Sequence, residues 1–237
     1  MIHDWLNFAQ HSLYPPVCLL CGQKNRSKRN LCSACTHGLP WNRHACPRCA
    51  APLPDELAGQ ACGHCLRHPP AWDVAASPLH YAWPLDMLIQ RFKFNADLAA
   101  GRMLGDLLAN FLAADAAPHP DCLIPVPLHP ARLKERGFNQ AQELAGPVAR
   151  RLKIPLASRL CRRIRHTETQ SKLDAKSRHR NLQGAFEVIA SVAGMDVAIL
   201  DDVITTGATV SALAGALREA GSARIRVWSL ARAAEGY

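Results

Sequence analysis

The sequence predicts an α/β protein: a parallel sheet flanked by helices, preceded by a small metal-nucleated module. Three observations predict it. Of the ten cysteines, eight lie between residues 18 and 65 as four Cys-x-x-Cys pairs. From residue 123 onward, short apolar runs without alternation take turns with stretches of helical spacing, the pattern of strands buried on both faces. The chain has 237 residues, 49% hydrophobic and 20% charged, which suits an enzyme-sized core with a small appendage and excludes fibrous or disordered classes. The expected division is 1–70 for an N-terminal helix and the cysteine module and 71–237 for the α/β unit, with 71–122 as bridging helices.

Taken in order, Ile2, Trp5, Leu6, Ala9 and Leu13 recur at helical spacing and stop before Pro15-Pro16. The polar face of this segment lacks Lys and Arg, so it reads as a packing helix and not a membrane anchor. The pairs that follow are Cys18/Cys21, Cys32/Cys35, Cys46/Cys49 and Cys62/Cys65, separated by 10, 10 and 12 residues. A two-residue spacer lets both thiolates reach one ion at about 2.3 Å, and a second pair completes a tetrahedron. Two closed structural zinc sites are therefore expected, paired sequentially or interleaved, with sequential pairing needing the shorter loops. A disulfide framework requires an oxidising compartment. A redox reading of Cys62-Gly63-His64-Cys65 requires a strand and helix around it, and this stretch is Pro-rich without periodicity. Cys122 and Cys161 stand apart and read as ordinary buried thiols.

After Pro69-Pro70, one helix is marked by Leu85, Leu88, Ile89 and Phe92, and another by Leu98, Met103, Leu104, Leu107, Leu108, Phe111 and Leu112. Then come a strand over Leu123–Val126, a helix over Phe138–Lys153, a strand over Val197–Leu200, a helix over Thr209–Ala220 closed by Gly221, and a strand over Ile225–Leu230. Ligands of such sheets bind beyond the carboxyl ends of the strands.

The formal charge of +9 is concentrated. Residues 128–180 carry 14 basic and 4 acidic side chains, which points to a polyanionic partner, either the phosphates of a small ligand or a nucleic-acid backbone. A merely solvated basic face would intersperse both signs. The longest uncharged stretch, Trp5–Gln23, contains Asn7, Gln10, His11, Ser12, Pro15 and Pro16 and fails as a membrane span. With no basic n-region at Met1-Ile2-His3-Asp4, a cytoplasmic location is expected.

The most informative run is VAILDDVITTGATV, residues 197–210. A buried strand ends in Asp201-Asp202, and a tight loop, Thr205-Thr206-Gly207-Ala208-Thr209, opens a helix. Amides at a helix start, joined by Thr hydroxyls, cradle a phosphate, and Gly207 permits close backbone approach. Adjacent carboxylates suit a ribose cis-diol, directly or through Mg2+. Turn chemistry and helix capping account for one Asp or one Thr. They do not account for the whole run.

This run resembles the phosphoribosyl pyrophosphate (PRPP) motif of type I phosphoribosyltransferases. Further elements are Phe92-Lys93-Phe94, Pro125-Val126-Pro127, Arg132, Arg136-Gly137-Phe138-Asn139-Gln140, Thr169-Gln170, Arg178, Asn181 and Gly184-Ala185-Phe186. Together with the cysteine module, and over about residues 15–231, they resemble the ComF/GntX competence family. There a double zinc ribbon precedes a type I phosphoribosyltransferase-like domain, and members are associated with DNA uptake in natural transformation. The resemblance implies that Asp201 and Asp202 contact ribose and that Thr205, Thr206, Gly207, Ala208 and Thr209 hold the 5′-phosphate of PRPP with Mg2+. The loop of Val126 and Pro127, with Arg136, would face pyrophosphate, and residues 162–180 would form a mobile cover. Charge development at the leaving group calls for cations, and Arg162, Arg163, Arg165 and Lys172 lie in that cover. Arg165 and Lys172, with the two aspartates, are the catalytic candidates.

Three functions follow as expectations: a PRPP-binding protein handling single-stranded DNA beside the DNA-uptake machinery, a transferase acting on an unidentified acceptor, or a PRPP-sensing regulator. For stacking on DNA bases, Phe138 and Trp41 are the aromatics the sequence favours.

Overall fold

The computed structural model describes residues 17–25, 30–165 and 184–233. The segment expected to form an N-terminal helix and most of the segment expected to form the cover, including Thr169, Gln170, Lys172, Arg178 and Asn181, lie outside the described residues.

The main sheet contains β1 (Val74–Ala76), β2 (Leu79–His80), β3 (Cys122–Pro125), β6 (Asp196–Ile204) and β7 (Arg224–Arg232). Its order is β1-β7-β6-β3, with β2 pairing β7 beyond the end of β1, and every pair is parallel. Val197–Leu200 is fully buried, as an unalternating run between neighbouring strands must be. A separate antiparallel pair joins β4 (Cys161–Arg163) to β5 (Phe186–Val188).

Helices α3 (Leu85–Phe94), α4 (Leu98–Leu112), α6 (Gln140–Leu152) and α7 (Ala208–Glu219) fall where the periodicity places them. Asp97 caps α4, accepting from the Ala100 N–H at 3.0 Å, and Asn139 caps α6, accepting from the Ala141 N–H at 3.0 Å. The packing of α4 depends on small residues. A Cβ on Gly101 would lie 2.4 Å from the Phe92 ring, and one on Gly105 would lie 2.8 Å from Pro147 Cγ of α6.

Four differences from the sequence reading have simple causes. The 71–122 segment contributes β1 and β2 to the sheet as well as two helices; strands of three and two residues are too short to print a period. α5 (Pro130–Arg136) stands where only a basic loop was read, started by Pro130 and stopped by Gly137 at φ 82°. β6 does not end at Leu200 but continues through Asp201 and Asp202 to Ile204. The two aspartates therefore stand on consecutive residues of the strand, Asp201 partly buried and Asp202 buried. Finally, Arg162 and Arg163 belong to β4 and not to the mobile cover, since this stretch has a partner strand in β5.

Each ribbon half is finished by a single helical turn, α1 (Ser33–His37) after Cys32 and α2 (Gly63–Arg67) after Cys62. The second half leans on the sheet edge: Ala75 N–H donates to Pro47 O at 2.9 Å, and buried Asn42 donates to Ala50 O and Ser77 O. The first half shares the main core through Cys18, Leu31 and Leu39.

Candidate functional site

The cysteines gather sequentially. Cys18, Cys21, Cys32 and Cys35 form one cluster and Cys46, Cys49, Cys62 and Cys65 the other, each with its Sγ atoms within 4.8 Å of one another. A tetrahedron with 2.3 Å metal–sulfur bonds has edges of about 3.8 Å. The Cys21–Cys32 and Cys49–Cys62 sulfurs stand 3.9 and 3.7 Å apart. Backbone N–H groups donate to the sulfurs of Cys32, Cys46 and Cys62, the support a thiolate needs. Burial raises the Cys18 and Cys46 thiols, but backbone hydrogen bonds, from Cys21, Cys32 and Leu20 to Cys18 and from Cys62, Arg48 and Cys49 to Cys46, prevail and bring them to about 6 and about 7. Burial and the crowding of its neighbours push Cys35 up to about 12. Four thiols cannot all ionise in such a space without a cation, and a dication at the centre removes the conflict. The donor set fits two structural zinc ions, with no position left open for a substrate.

The second site is the carboxyl end of β6. Asp202 is 5% exposed and accepts from Lys93 Nζ of α3 at 2.7 Å and from Gln140 Nε2 of α6 at 3.4 Å. Gln140 Oε1, also buried, has no hydrogen-bond partner among the described residues. Asp201 is partly buried, and burial followed by the charge of Asp202 pushes its carboxyl up to about 7. Lys93 pairs with Asp202, and its charge also opposes the rise at Asp201. Beyond the strand, exposed Thr205 and Thr206 lead into Gly207 at φ 75°, the residue before α7, and Thr206 Oγ1 accepts from Ala208 N–H at 3.3 Å. Gly207 is required by the turn itself: a Cβ there would also stand 3.2 Å from the Trp72 ring. Thr209 lies in the first turn of α7, where amides lack intrahelical acceptors.

The loop after β3 comes to the same end of the sheet. Val126 N–H donates to Leu200 O at 2.9 Å, and Asn139 Nδ2 donates to Val126 O at 3.0 Å. Pro127 follows in this loop. Arg136, at the end of α5, places its guanidinium 5.7 Å from the Phe94 ring centroid. Arg163 stacks over Phe186 at 5.6 Å; burial lowers its pKa, opposed by the charge of Asp201. Arg162 pairs with Glu187 at 2.7 Å, and Arg165 is exposed just past β4. The structure thus assembles Asp201, Asp202, the Thr205–Thr209 loop and the Val126 loop at one end of the sheet.

Two partners escaped a residue-by-residue reading. In the sequence Lys93 and Gln140 stand out only as parts of the resembling motifs, and no local pattern says that they converge on Asp202. Conversely, Phe138 is half-buried with its ring 5.3 Å from that of Phe92, and half-buried Trp41 donates its indole N–H to Thr36 O. Both serve packing. A cleft of about 480 Å3 lies between the first ribbon half and α4, lined by Leu31, Trp41, Met103, Leu107 and Phe111 among others. None of the motif residues borders it.

Residues 9–66 match the double zinc ribbon domain and residues 139–237 the phosphoribosyl transferase domain. Competence protein F of Haemophilus influenzae is 39% identical over 226 residues, 91% of this chain and 96% of that protein. The chain belongs to the ComF/GntX competence family. DNA utilization protein YhgH of Escherichia coli K12 is 35% identical over 92% of this chain and 97% of its own length. Competence protein ComFC of Bacillus subtilis is 28% identical over 92% and 95%. Among solved structures, the glutamine PRPP amidotransferase of B. subtilis is 21% identical, covering 54% of this chain and 26% of that one at a TM-score of 0.38. Across this family member, then, a double zinc ribbon precedes a phosphoribosyltransferase-type sheet.

Proposed function

We propose that this chain binds PRPP with Mg2+ at the carboxyl end of β6 and serves DNA uptake by handling single-stranded DNA. The observation that carries the reading is the pairing of Asp201 and Asp202 with a glycine-turned Thr loop that opens α7. Asp201 would hold the ribose diol or its Mg2+, the amides and hydroxyls of Thr205–Thr209 the 5′-phosphate, and the Val126–Pro127 loop with Arg136 the pyrophosphate. The unpaired Oε1 of Gln140 supplies a further acceptor beside the diol. Mg2+, when bound, offsets the charge of the pyrophosphate. Arg165 and Lys172 are the cations proposed to cover it. The DNA role rests on family membership, on the relatives named for competence and DNA utilization, and on the basic segment 128–180.

The test is calorimetric titration of PRPP with Mg2+ into the wild type and Asp201→Asn. Asp201 is the better target, because removing the carboxylate of Asp202 takes from the partly buried Lys93 its ion-pair partner. Loss of a charged acceptor weakens binding by about 10- to 100-fold. Equal affinity in both proteins would mean that the motif is a relic of the fold. Pyrophosphate release in the same samples separates a transferase from a binding protein.

A further inference from the structure

Helix α4 has a side that its core packing leaves open. Leu104 and Leu108 are fully buried, and Gly105 is set against Pro147 of α6. Met103, Leu107 and Phe111, each four residues from the next, follow one another along a different side. Burial falls along this row: Met103 is buried, Leu107 half-buried and Phe111 39% exposed. Leu31 and Trp41 of the first ribbon half line the other wall of the same cleft of about 480 Å3. Asp106 and Arg151, one charge of each sign, are the charged residues among those described that line it.

Chemistry and connectivity select the occupant. A polyanion gains nothing from one base offset by one acid, whereas an apolar stripe of low charge fits. Ile2, Trp5, Leu6, Ala9 and Leu13 make such a stripe at helical spacing, in a segment, residues 1–16, with no Lys or Arg and Asp4 as its one acid. That segment lies outside the described residues, but the chain emerges from it beside the cleft. Leu19 N–H donates to Asn30 O at 2.9 Å, and Asn30 lines the cleft. Five residue steps from Tyr14 to Leu19 reach at most about 18 Å. A helix over residues 2–13 is about 18 Å long, against about 12 Å for the α4 row from Met103 to Phe111. A tether this short holds the stripe near the cleft at an effective concentration in the millimolar range, so a separate partner has to displace it. The match to the double zinc ribbon domain begins at residue 9, inside this segment.

We infer that residues 2–13 form a helix whose apolar stripe closes the cleft between the first ribbon half and α4, clasping the ribbon to the sheet unit. The test uses the full, zinc-loaded chain with photoreactive p-benzoylphenylalanine in place of Phe111, an exposed aromatic position, in a mixture of isotopically light and heavy protein. Irradiation joins position 111 to residues 1–14 of the same chain, read by mass spectrometry of the linked peptides. Products that join light to heavy chains assign the cleft to a second copy, and products that contain no residue of 1–14 leave the stripe elsewhere. Either overturns the proposal. Thermal unfolding tests the same contact from both sides. Trp5→Ser with Leu6→Ser removes the stripe, and Leu107→Ser with Phe111→Ser removes its seat; each pair lowers the midpoint by about 4 °C or more. With all four substitutions the midpoint falls little further than in the more affected pair, since the contact is already lost. Zinc content stays unchanged throughout. Fully additive shifts mean that stripe and cleft do not meet, and the clasp falls.

Discussion

At the scale of single residues, the arrangement turns on how two adjacent carboxylates share one strand end. Asp202 is buried and compensated by Lys93, whereas Asp201 is partly open and raised to about 7 by burial and by its neighbour. A carboxyl raised above its unfolded value of 3.8 binds its proton more tightly in the folded state. Its contribution to stability is therefore present at acid pH and declines as pH rises from about 4 to about 7. Ligand affinity runs the other way, because a diol or Mg2+ needs the ionised form. PRPP titrated at pH 6 and pH 8 should bind more tightly at pH 8, and Asp201→Asn should lose that part of the dependence that the phosphates do not supply. The ion pair makes a second prediction. Lys93→Met leaves a buried carboxylate uncompensated and should cost about 3–5 kcal/mol in denaturant unfolding. Adding Asp202→Asn should recover part of the loss, which a purely additive pair of substitutions would not do.

Elements were legible in proportion to their length. The nine-residue strand β6, the fifteen-residue α4 and the thirteen-residue α6 repeat their pattern often enough to be read. β1, β2, β4 and β5 have two or three residues each and exist only because β7, or each other, supplies the hydrogen bonds. The Asp201–Thr209 turn was legible for a different reason: it combines acids, Thr and Gly in a run that turn chemistry and capping alone do not explain. Its partners were not, since Lys93 and Gln140 reach Asp202 across separations of more than sixty residues along the sequence. Glycine substitutions test the packing of elements. Gly101→Ala pushes a methyl into the Phe92 ring, and the whole α3–α4 contact must shift, so it should lower stability by about 1–3 kcal/mol or more. Gly207→Ala faces both a left-handed turn and the Trp72 ring, and should cost about 1–3 kcal/mol while also weakening PRPP. Thermal unfolding of the two variants, with zinc content as a control, measures both.

Across the whole molecule, the second ribbon half and the Thr205–Thr209 loop are joined by one buried side chain. Arg232, at the end of β7, donates from Nε to Cys49 O at 3.2 Å and from Nη1 to the carbonyls of Ile204 and Thr205. Beside it, the Trp72 indole N–H is fixed on Arg48 O at 2.6 Å, and the same ring lies against Gly207. The knuckle of Cys46 and Cys49 thus holds both residues that shape the loop, and the knuckle itself depends on its metal. The first ribbon half reaches the site less directly, through Leu19 O and Arg91 of α3 at 3.0 Å. Loss of one zinc should therefore have unequal consequences. Cys62→Ser should leave about one zinc per chain and weaken PRPP about tenfold or more, because the carbonyl anchor of Arg232 is no longer held and the loop loses its fixed geometry. Cys21→Ser should lose the other zinc with a much smaller effect on PRPP. Metal analysis and PRPP calorimetry on the same preparations decide it: equal losses in the two variants would show that zinc supports only global stability, and that the ribbon does not set the loop.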